Sequence, residues 1–459
     1  MLRTRSNSDQ LSIIDAFLPD ELKGLPTDLA AIDSFLDDER FFAPYRKHFD
    51  PAFGRPSVPL ETYLRMMYLR FTHELGYETL VKEVRDSLAW RRFCRIGLGD
   101  KVPHPTTLVK TTRRVGPGAV EELNRALRDK AREQKLIRSR TLRADTTVVA
   151  ADVAHPTDAG LCARAVGALG RAVTRVKAAG GALRTRYRSR RRAAGRRMKE
   201  LTGGLRTRTG GGKAKVERLT AELAGLARSA ARDAEGVVRN AARKLKEDPG
   251  NGRLARALAE LKELLARSAR VLYQTGLRLA GQTTIPDRLV SLADPDARPI
   301  KRGKLSAPVE FGYKAMIADG REGFIEHYDV YQGNPVDHDL IGAVIDAYIE
   351  ETGKAPAAVV ADRGFGAEAV EDQLKAKGVR TVAIPRKGTA SPERRDAEHA
   401  PYFRRLLRWR TGCEGRISAF KRGHGGRRTR FKGLRGAETW VGFGVLSHNL
   451  HKVGTAHRE

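Results

Sequence analysis

The sequence predicts an α/β protein: a mixed sheet with covering helices, a long helical block set into it, and a helical region ahead of it. Three observations predict this. From Pro308 onward, short β-branched runs alternate with helical patterns. A lone strand-like run stands far upstream, at 141–149. Between them, leucines recur at heptad spacing.

The chain has 459 residues, which suggests two to four domains. Residues 1–40 read as a polar arm with one or two short helices. Residues 41–135 read as helical. Pro56-Ser57-Val58-Pro59 precedes a stripe of Leu60, Leu64 and Met67. A helix is expected over 79–92, after which Gly97, Gly99 and Pro103 break the pattern. A further helix opens at Pro105, where a missing N–H does no harm. Helix, turn, then a basic helix with Lys110, Arg113 and Arg114 suits helix-turn-helix DNA reading. A plain helical bundle explains the same pattern equally well.

Thr141-Leu142-Arg143-Ala144-Asp145-Thr146-Thr147-Val148-Val149 is β-branched and roughly alternating, hence a strand. After Pro156-Thr157-Asp158 the character changes. Residues 161–280 hold 30 Lys/Arg against 9 Asp/Glu, a net of 30 − 9 = +21, two thirds of the chain's excess of +31. Val216, Leu219, Leu223, Leu226 and Ala230 follow 3-4 spacing, as do Leu254, Leu258, Leu261 and Leu265. Asp248-Pro249-Gly250-Asn251-Gly252 between them is a strong turn. The expectation is an antiparallel helical hairpin with a basic outer surface, preceded by a flexible glycine-rich link from Gly203 to Gly212.

Further on, 310–317 and 324–331 read as strands, and 339–351 as a helix. The short apolar run 357–362 ends in Asp362. A helix over 367–377 stops at Gly378, and a strand over 379–384 is halted by Pro385. Antiparallel strands followed by a β-α-β pair match a ribonuclease-H-like topology, interrupted after its first strand by the helical block. The expected division is an arm (1–40), a helical DNA-binding domain (41–135), a ribonuclease-H-like domain (136–160 and 286–459) and a basic helical insertion (161–285).

The charge excess calls for a polyanionic partner, since self-repulsion otherwise opposes compaction. Nucleic acid is the first expectation and an anionic membrane surface the second. Heavy use of Ala, Arg and Gly also suggests a GC-rich genome, which inflates arginine. No run of eighteen apolar residues exists, so no spanning helix is expected. The first ten residues lack the apolar core of a signal peptide. Cys94, Cys162 and Cys413 are too scattered for a disulfide framework or a zinc site. A reducing cytosol fits buried free thiols.

The densest signal for chemistry lies at 406–421. Read as one helix at about 100° per residue, Glu414 lies about 40° from Arg410 and Lys421 about 20°. An acid framed by two bases on one face suits a phosphodiester site in which the acid holds a metal and the bases hold phosphates. A solvated ion-pair face is the plainer explanation. Asp362 closes a buried strand, where open α/β sheets place ligands. Asp145 lies in the first strand of the same domain, with Asp152 and Asp158 as competitors for its role; Asp158 suits a helix cap better. Adjacent central strands would bring Asp145 and Asp362 together, with the Glu414 helix over that edge. Three carboxylates can hold two hard divalent ions, Mg²⁺ or Mn²⁺. Gly412 and Gly415 suggest close packing on the sheet or close approach of DNA. The basic loop after Lys421, with Arg427 and Arg428, suits phosphate contact. Trp440 and the apolar helix after it read as core.

With these motifs in place, the chain resembles the bacterial insertion-sequence DDE transposases, of the ISNCY-like kind, over nearly its whole length. Residues 41–135 resemble an InsH-type N-terminal domain. Ala144-Asp145-Thr146-Thr147 and His155-Pro156-Thr157-Asp158 resemble the first-Asp block. Val309-Glu310-Phe311-Gly312-Tyr313-Lys314 and Gly333-Asn334-Pro335-Val336-Asp337 resemble the blocks that follow. Ala361-Asp362-Arg363-Gly364-Phe365 resembles the second-Asp block. Arg410, Glu414 and Lys421 are spaced as in the family's Tyr-Arg-Glu-Lys pattern, with Leu407 where that pattern has tyrosine. The resemblance implies cleavage at element ends and strand transfer into target DNA. Asp145, Asp362 and Glu414 would bind the metals. Arg410, Lys421, Arg113, Arg114, Arg427 and Arg428 would contact DNA. It also implies double-stranded terminal inverted repeats and target DNA as partners, a homodimer or higher oligomer on DNA, and a cytoplasmic, nucleoid-associated location. Another ribonuclease-H-like nuclease, or a domesticated DNA-binding protein without catalysis, are the alternatives.

Overall fold

The structure, a computed structural model, describes residues 1–6, 17, 19–204, 210–304 and 307–456. The chain forms two compact units, Met1–Asp152 with Gly312–Glu459, and Val153–Phe311.

The first unit opens with helices α1 (Thr27–Leu36), α2 (Leu60–Thr72), α3 (Tyr77–Asp86), α4 (Leu88–Phe93) and α5 (Pro105–Glu133). The single helix expected over 79–92 is therefore two. Ser87 between them is extended, and its side chain accepts from the Trp90 N–H at 3.2 Å, capping the second helix. Pro105 takes the first helical position of α5, and the helix kinks at Gly116, whose φ of 66° precedes Pro117. Strand β1 (Thr141–Ala151) follows.

The second unit holds α6 (Asp158–Ala178), α7 (Arg191–Gly204), α8 (Gly210–Glu247) and α9 (Gly252–Leu279), and then β2 (Arg298–Lys304). Helices α8 and α9 form the expected hairpin, with Asn251 capping α9 through the Leu254 N–H. They do not stand alone: α6 packs on both, and α7 packs on α6 and α8. The shared core is rich in fully buried alanines, among them Ala165, Ala172, Ala227, Ala230, Ala234 and Ala241. Small side chains let helices approach closely but give a weak periodic signal, which is why a leucine count found only the hairpin. The cap of α6 is Thr157, not Asp158; Thr157 accepts from the Gly160 N–H, and Asp158 pairs with Arg288 at 2.7 Å. Gly203 and Gly204 end α7, and Gly210 to Gly212 begin α8, so these ends of the expected link are helical. Its middle, 205–209, lies outside the described residues, as does most of the arm at 7–16.

The sheet is completed by β3 (Ala307–Gly320), β4 (Ile325–Tyr331), β5 (Ala358–Val360), β6 (Thr381–Ala383) and β7 (Arg428–Thr429). Helix α10 (Asp337–Thr352) leads into β5, and α11 (Glu368–Ala376) into β6. Strand β1 is central: antiparallel to β3, whose other edge takes β4, and parallel to β5, which pairs in parallel with β6. Gly378, with φ of 88°, closes the chain after α11 in the left-handed conformation that favours glycine. The basic stretch after Lys421 is not a plain loop, since β7 pairs in parallel with the end of β1.

Helices α12 (Pro392–His399), α13 (Pro401–Thr411), α14 (Cys413–Gly423) and α15 (Leu434–Ala456) finish the first unit. Helix α15 is its axis. It is buried on every side and packs against α1, α2, α5 and β4. Trp440 is core, with its ring 4.8 Å from that of Phe71 on α2. The N-terminal helices and the end of the chain thus share one hydrophobic core.

Candidate active site

Parallel pairing of β1 with β5 sets Arg143 opposite Val360. Asp145 and Asp362 each lie two residues beyond that pair, so strand alternation carries both toward one face. The Thr146 N–H donates to Asp145 Oδ1 at 2.7 Å. The Gly364 N–H donates to Asp362 Oδ1 at 2.7 Å, closing the turn that ends the strand. One guanidinium then meets both acids: Arg410 Nη2 lies 3.8 Å from Asp145 and 3.7 Å from Asp362. Both carboxylates remain open to solvent, at 18% and 39% exposure.

A further acid stands nearby. Asp337, the first residue of α10, accepts from the Thr146 hydroxyl at 2.9 Å and pairs with Lys314 at 2.5 Å. Lys314 is buried and also donates to the Pro335 carbonyl. The tether between β1, β3 and α10 therefore rests on Thr146, Lys314 and Asp337. Sequence reading placed Asp337 in a motif block but gave it no role. Its signal is an acid at a helix start just after Pro335-Val336.

The helix expected to run unbroken through 406–421 stops at Gly412 and restarts at Cys413. The cause is Arg143. Its Nη1 donates to the Trp409 carbonyl at 2.7 Å, its guanidinium lies 4.8 Å from the Trp409 ring centre, and a Cβ on Gly412 would sit 2.9 Å from Nη1. Close packing on the sheet thus explains Gly412, whereas Gly415 faces open space. Arg143 is itself fixed by Asp319, fully buried, through two bonds of 2.8 Å. Arg416 of α14 reaches the same carboxylate at 3.2 Å. This Arg143–Asp319–Arg416 group docks both helices onto the sheet.

Arg410, near the end of α13, meets the two aspartates, and Glu414, in the first turn of α14, is exposed. Among the described residues, no three His, Cys, Asp or Glu stand together as a metal-holding group. The structure joins Asp145, Asp362 and Arg410, and leaves Glu414 outside that ion-paired set. Cys413 beside it is buried, and burial pushes its thiol up to about 12, so it stays protonated at neutral pH. Leu407 packs in an apolar cluster with Phe403 and Leu406. Lys421 lies half-buried near the end of α14.

The competing acids are engaged elsewhere, Asp152 lying 3.7 Å from Arg428 and Asp158 paired with Arg288. Arg113 and Arg114 are exposed on α5, with the Arg114 guanidinium 4.9 Å from the Phe49 ring centre. Arg427 and Arg428 are exposed at β7. The three cysteines are free and buried.

A mixed sheet with acids on neighbouring strands and a basic helix over them defines a class by fold: α/β proteins that place ligands at the ends of their strands. Two family matches make this specific. Residues 15–114 match the Transposase domain (DUF772), and residues 282–450 match the Transposase DDE domain, a ribonuclease-H-like family. The two matches, both to transposase domains, indicate an insertion-sequence DDE transposase. Asp362 and Glu414 fall inside the second match, while Asp145 lies in the stretch between the two. An uncharacterized protein of Rhizobium meliloti, ORF8 in the nfe locus, is 32% identical over 134 residues, covering 28% of this chain and 62% of that protein. The chain thus spans less than two thirds of that relative's length. No solved structure matches the chain. No described helix is long and apolar enough to cross a membrane.

Proposed function

We propose that this protein is a DNA transposase that cuts at the ends of its own element and joins the 3′ ends to a target. The observation that carries this reading is the convergence of Asp145 and Asp362 on a single cationic group, Arg410, in a chain of this family. Two solvent-open carboxylates sharing one cation are a donor set that fits a hard divalent ion. Mg²⁺ or Mn²⁺, two ions held by Asp145, Asp362 and Glu414, would activate the attacking water or 3′-hydroxyl and stabilise the leaving oxygen.

The chain's own groups do the rest. Arg410 offsets the repulsion between the two aspartates when nothing else does, and offers its guanidinium to a phosphate. Lys421 adds a second phosphate contact. The Asp319 group fixes the helices that carry Arg410 and Glu414, so the orientation is set before DNA arrives. We assign residues 41–135 to reading element ends, through Arg113 and Arg114. Residues 136–160 and 286–459 form the catalytic domain, with Arg427 and Arg428 on the DNA backbone, and 161–285 form a basic insertion. The partners are double-stranded terminal repeats and target DNA, engaged by a homodimer or higher oligomer, in the cytoplasm at the nucleoid.

The test is cleavage of a duplex carrying the element's terminal repeat by Asp145→Asn, Asp362→Asn and Glu414→Gln. Each swap removes a ligand charge and little volume. Losing one ligand removes several kcal/mol of transition-state stabilisation, so cleavage should fall by roughly a thousandfold or more while end binding persists. A variant that cleaves at near-normal rate removes its residue from the site. Wild-type cleavage in excess chelator would sink the metal assignment.

A further inference from the structure

Arg70, on α2, is 2% exposed, and its Nε and Nη1 are buried without a hydrogen-bond partner. The guanidinium is enclosed by aromatic rings, with the centres of Tyr77 and Trp440 at 4.1 and 4.8 Å. Ring faces attract a cation but accept none of its N–H bonds. The other buried arginines of this unit have acceptors: Arg65 has Asp33, Arg128 has Glu351, Arg143 has Asp319, and Arg91 donates to the backbone carbonyls of Gly97, Leu98 and Asp100. A buried charge left with donors unmet is costly, and retaining one implies an acceptor that the chain does not supply.

Arg70 forms part of the wall of a cavity of about 330 Å³ whose mouth carries Arg427, Arg428 and Arg430, against one acid, Glu74. The wall is built to hold its shape. Trp440 Nε1 donates to the Gly425 carbonyl at 2.7 Å, and Gly425, at φ of 73°, lets the loop close over Phe71, which a Cβ would meet at 3.1 Å. Helix α2 lies within the stretch that matches the DUF772 transposase domain, and the three mouth arginines lie within the DDE match. Both sides of the cavity belong to the same compact unit.

We propose that this cavity receives one phosphate of the DNA backbone, with Arg70 as its buried floor and Arg427, Arg428 and Arg430 as its rim. The assignment rests on the reading of the protein as a DNA transposase and deepens it. The unmet donors of Arg70 suit a tetrahedral anion, which can take several N–H bonds at once. Four arginines line the cavity against Glu74, with Asp152 beside Arg428, an excess of positive charge that favours an anion and opposes a cation. A phosphate held there would be gripped at once by the N-terminal helices and by the segment after α14. Binding of the element end would thus be tied to the region that carries Glu414.

Two measurements on the full-length protein test this, with Arg70→Met, which keeps bulk and removes the charge, and Arg430→Gln, at the exposed rim. The first is thermal unfolding with inorganic phosphate at constant ionic strength, chloride making up the balance. Ligand that binds only the folded state raises the midpoint. The wild type should rise, Arg70→Met should stay flat, and Arg430→Gln should rise less. No rise in the wild type, or an equal rise in all three, would overturn the proposal. The second is affinity for terminal-repeat and random duplexes across a salt series. Each variant should bind both duplexes about tenfold more weakly and lower the slope of log affinity against log salt by about one. An unchanged slope with intact DNA binding overturns the pocket and leaves the transposase reading standing. Phosphate stabilisation without any duplex binding by the wild type does the reverse. Should Arg70→Met fail to fold, Arg430→Gln carries both arms.

Discussion

The two units of this molecule handle the same residue, arginine, in opposite ways. The first buries it against acids: Arg65 with Asp33 at 2.6 Å, Arg128 with Glu351 at 2.5 Å, Arg143 with Asp319 at 2.8 Å. Each pair joins segments far apart in sequence. In the second unit the only charged residue buried among those described is Asp294, and the core is alanine and leucine. Several of its ion pairs lie at the surface, such as Arg175 and Glu260, at 2.6 Å and each about half exposed, while Arg288–Asp158 and Arg190–Asp233 are partly buried. Buried pairs stabilise little in net terms but make any other arrangement expensive, which fixes geometry. Exposed arginines fix nothing and create a field. The difference teaches that the charge total of a chain says nothing about where charge positions a reaction and where it attracts a polyanion.

The largest effect should come from the second unit's surface. On α8, Arg228, Arg232, Arg239 and Arg243 are all exposed. At about 100° and 1.5 Å per residue they fall within about 60° of one another along about 22 Å of helix. Replacing all four with Gln should flatten the salt dependence of DNA affinity by up to about 3.6 units of slope, at about 0.9 per phosphate. Preference for the terminal repeat over random duplex should not change, because phosphate contacts position without specifying. Stability should move by less than about 0.5 kcal/mol per site. An unchanged slope would make this unit a solvated spacer, and a lost preference would make it a reader of sequence.

The next largest effect should come from the first unit's interior. Asp319→Asn leaves Arg143 and Arg416 facing a neutral amide in a buried site. Breaking such a pair costs about 3–5 kcal/mol, measurable by urea unfolding. Cleavage should fall further than stability predicts, because Arg143 also holds the Trp409 carbonyl where α13 gives way to α14. A loss under about 1 kcal/mol would place this group with the surface pairs and remove the contrast between the units.

How much of this was legible in the sequence follows the same divide. Strands β1, β3 and β4 and helices α10 and α11 could be read from periodicity, because each lays one face on a core. The acids at the ends or middles of strands could be read too, since a charge inside an apolar run is a local anomaly. The break at Gly412 could not: it depends on Arg143, which arrives from a strand more than 260 residues earlier. Arg70 was hidden inside an apolar stripe, where a long side chain reads as the polar edge of a helix. Helices α6 and α7 were hidden by alanine, which packs a core without advertising it.

The smallest effect concerns pH, and it isolates one buried charge of the first unit. Glu326 on β4 is fully buried, 3.1 Å from Arg132, with Oε1 unpartnered. Burial pushes its carboxyl up to about 7, the nearby Arg132 only partly offsetting it. Between the ordinary value of 4.5 and about 7 the folded state therefore holds more proton than the unfolded chain, and stability falls as pH rises through that window. The buried histidines act in the opposite sense. Burial lowers His424 to about 4 and His448 to about 3, so their contribution is complete above the ordinary value of 6.5 and is lost as pH falls below it. The wild-type curve mixes the two, but the difference between wild type and Glu326→Gln does not, since the amide stays neutral throughout and leaves the histidines in place. From pH 4.5 to pH 8 that difference should move against the wild type by roughly 1–3 kcal/mol, since each tenfold change in proton affinity is worth about 1.4 kcal/mol and Arg132 recovers part of it. Glu260→Gln, in the half-exposed pair of the second unit, serves as the contrast and should change stability by under about 1 kcal/mol. Urea unfolding at a series of pH values reads both. A wild-type-minus-variant difference that stays level for Glu326 would mean that Arg132 holds it as an ordinary ion pair, and that this part of the interior behaves like the surface.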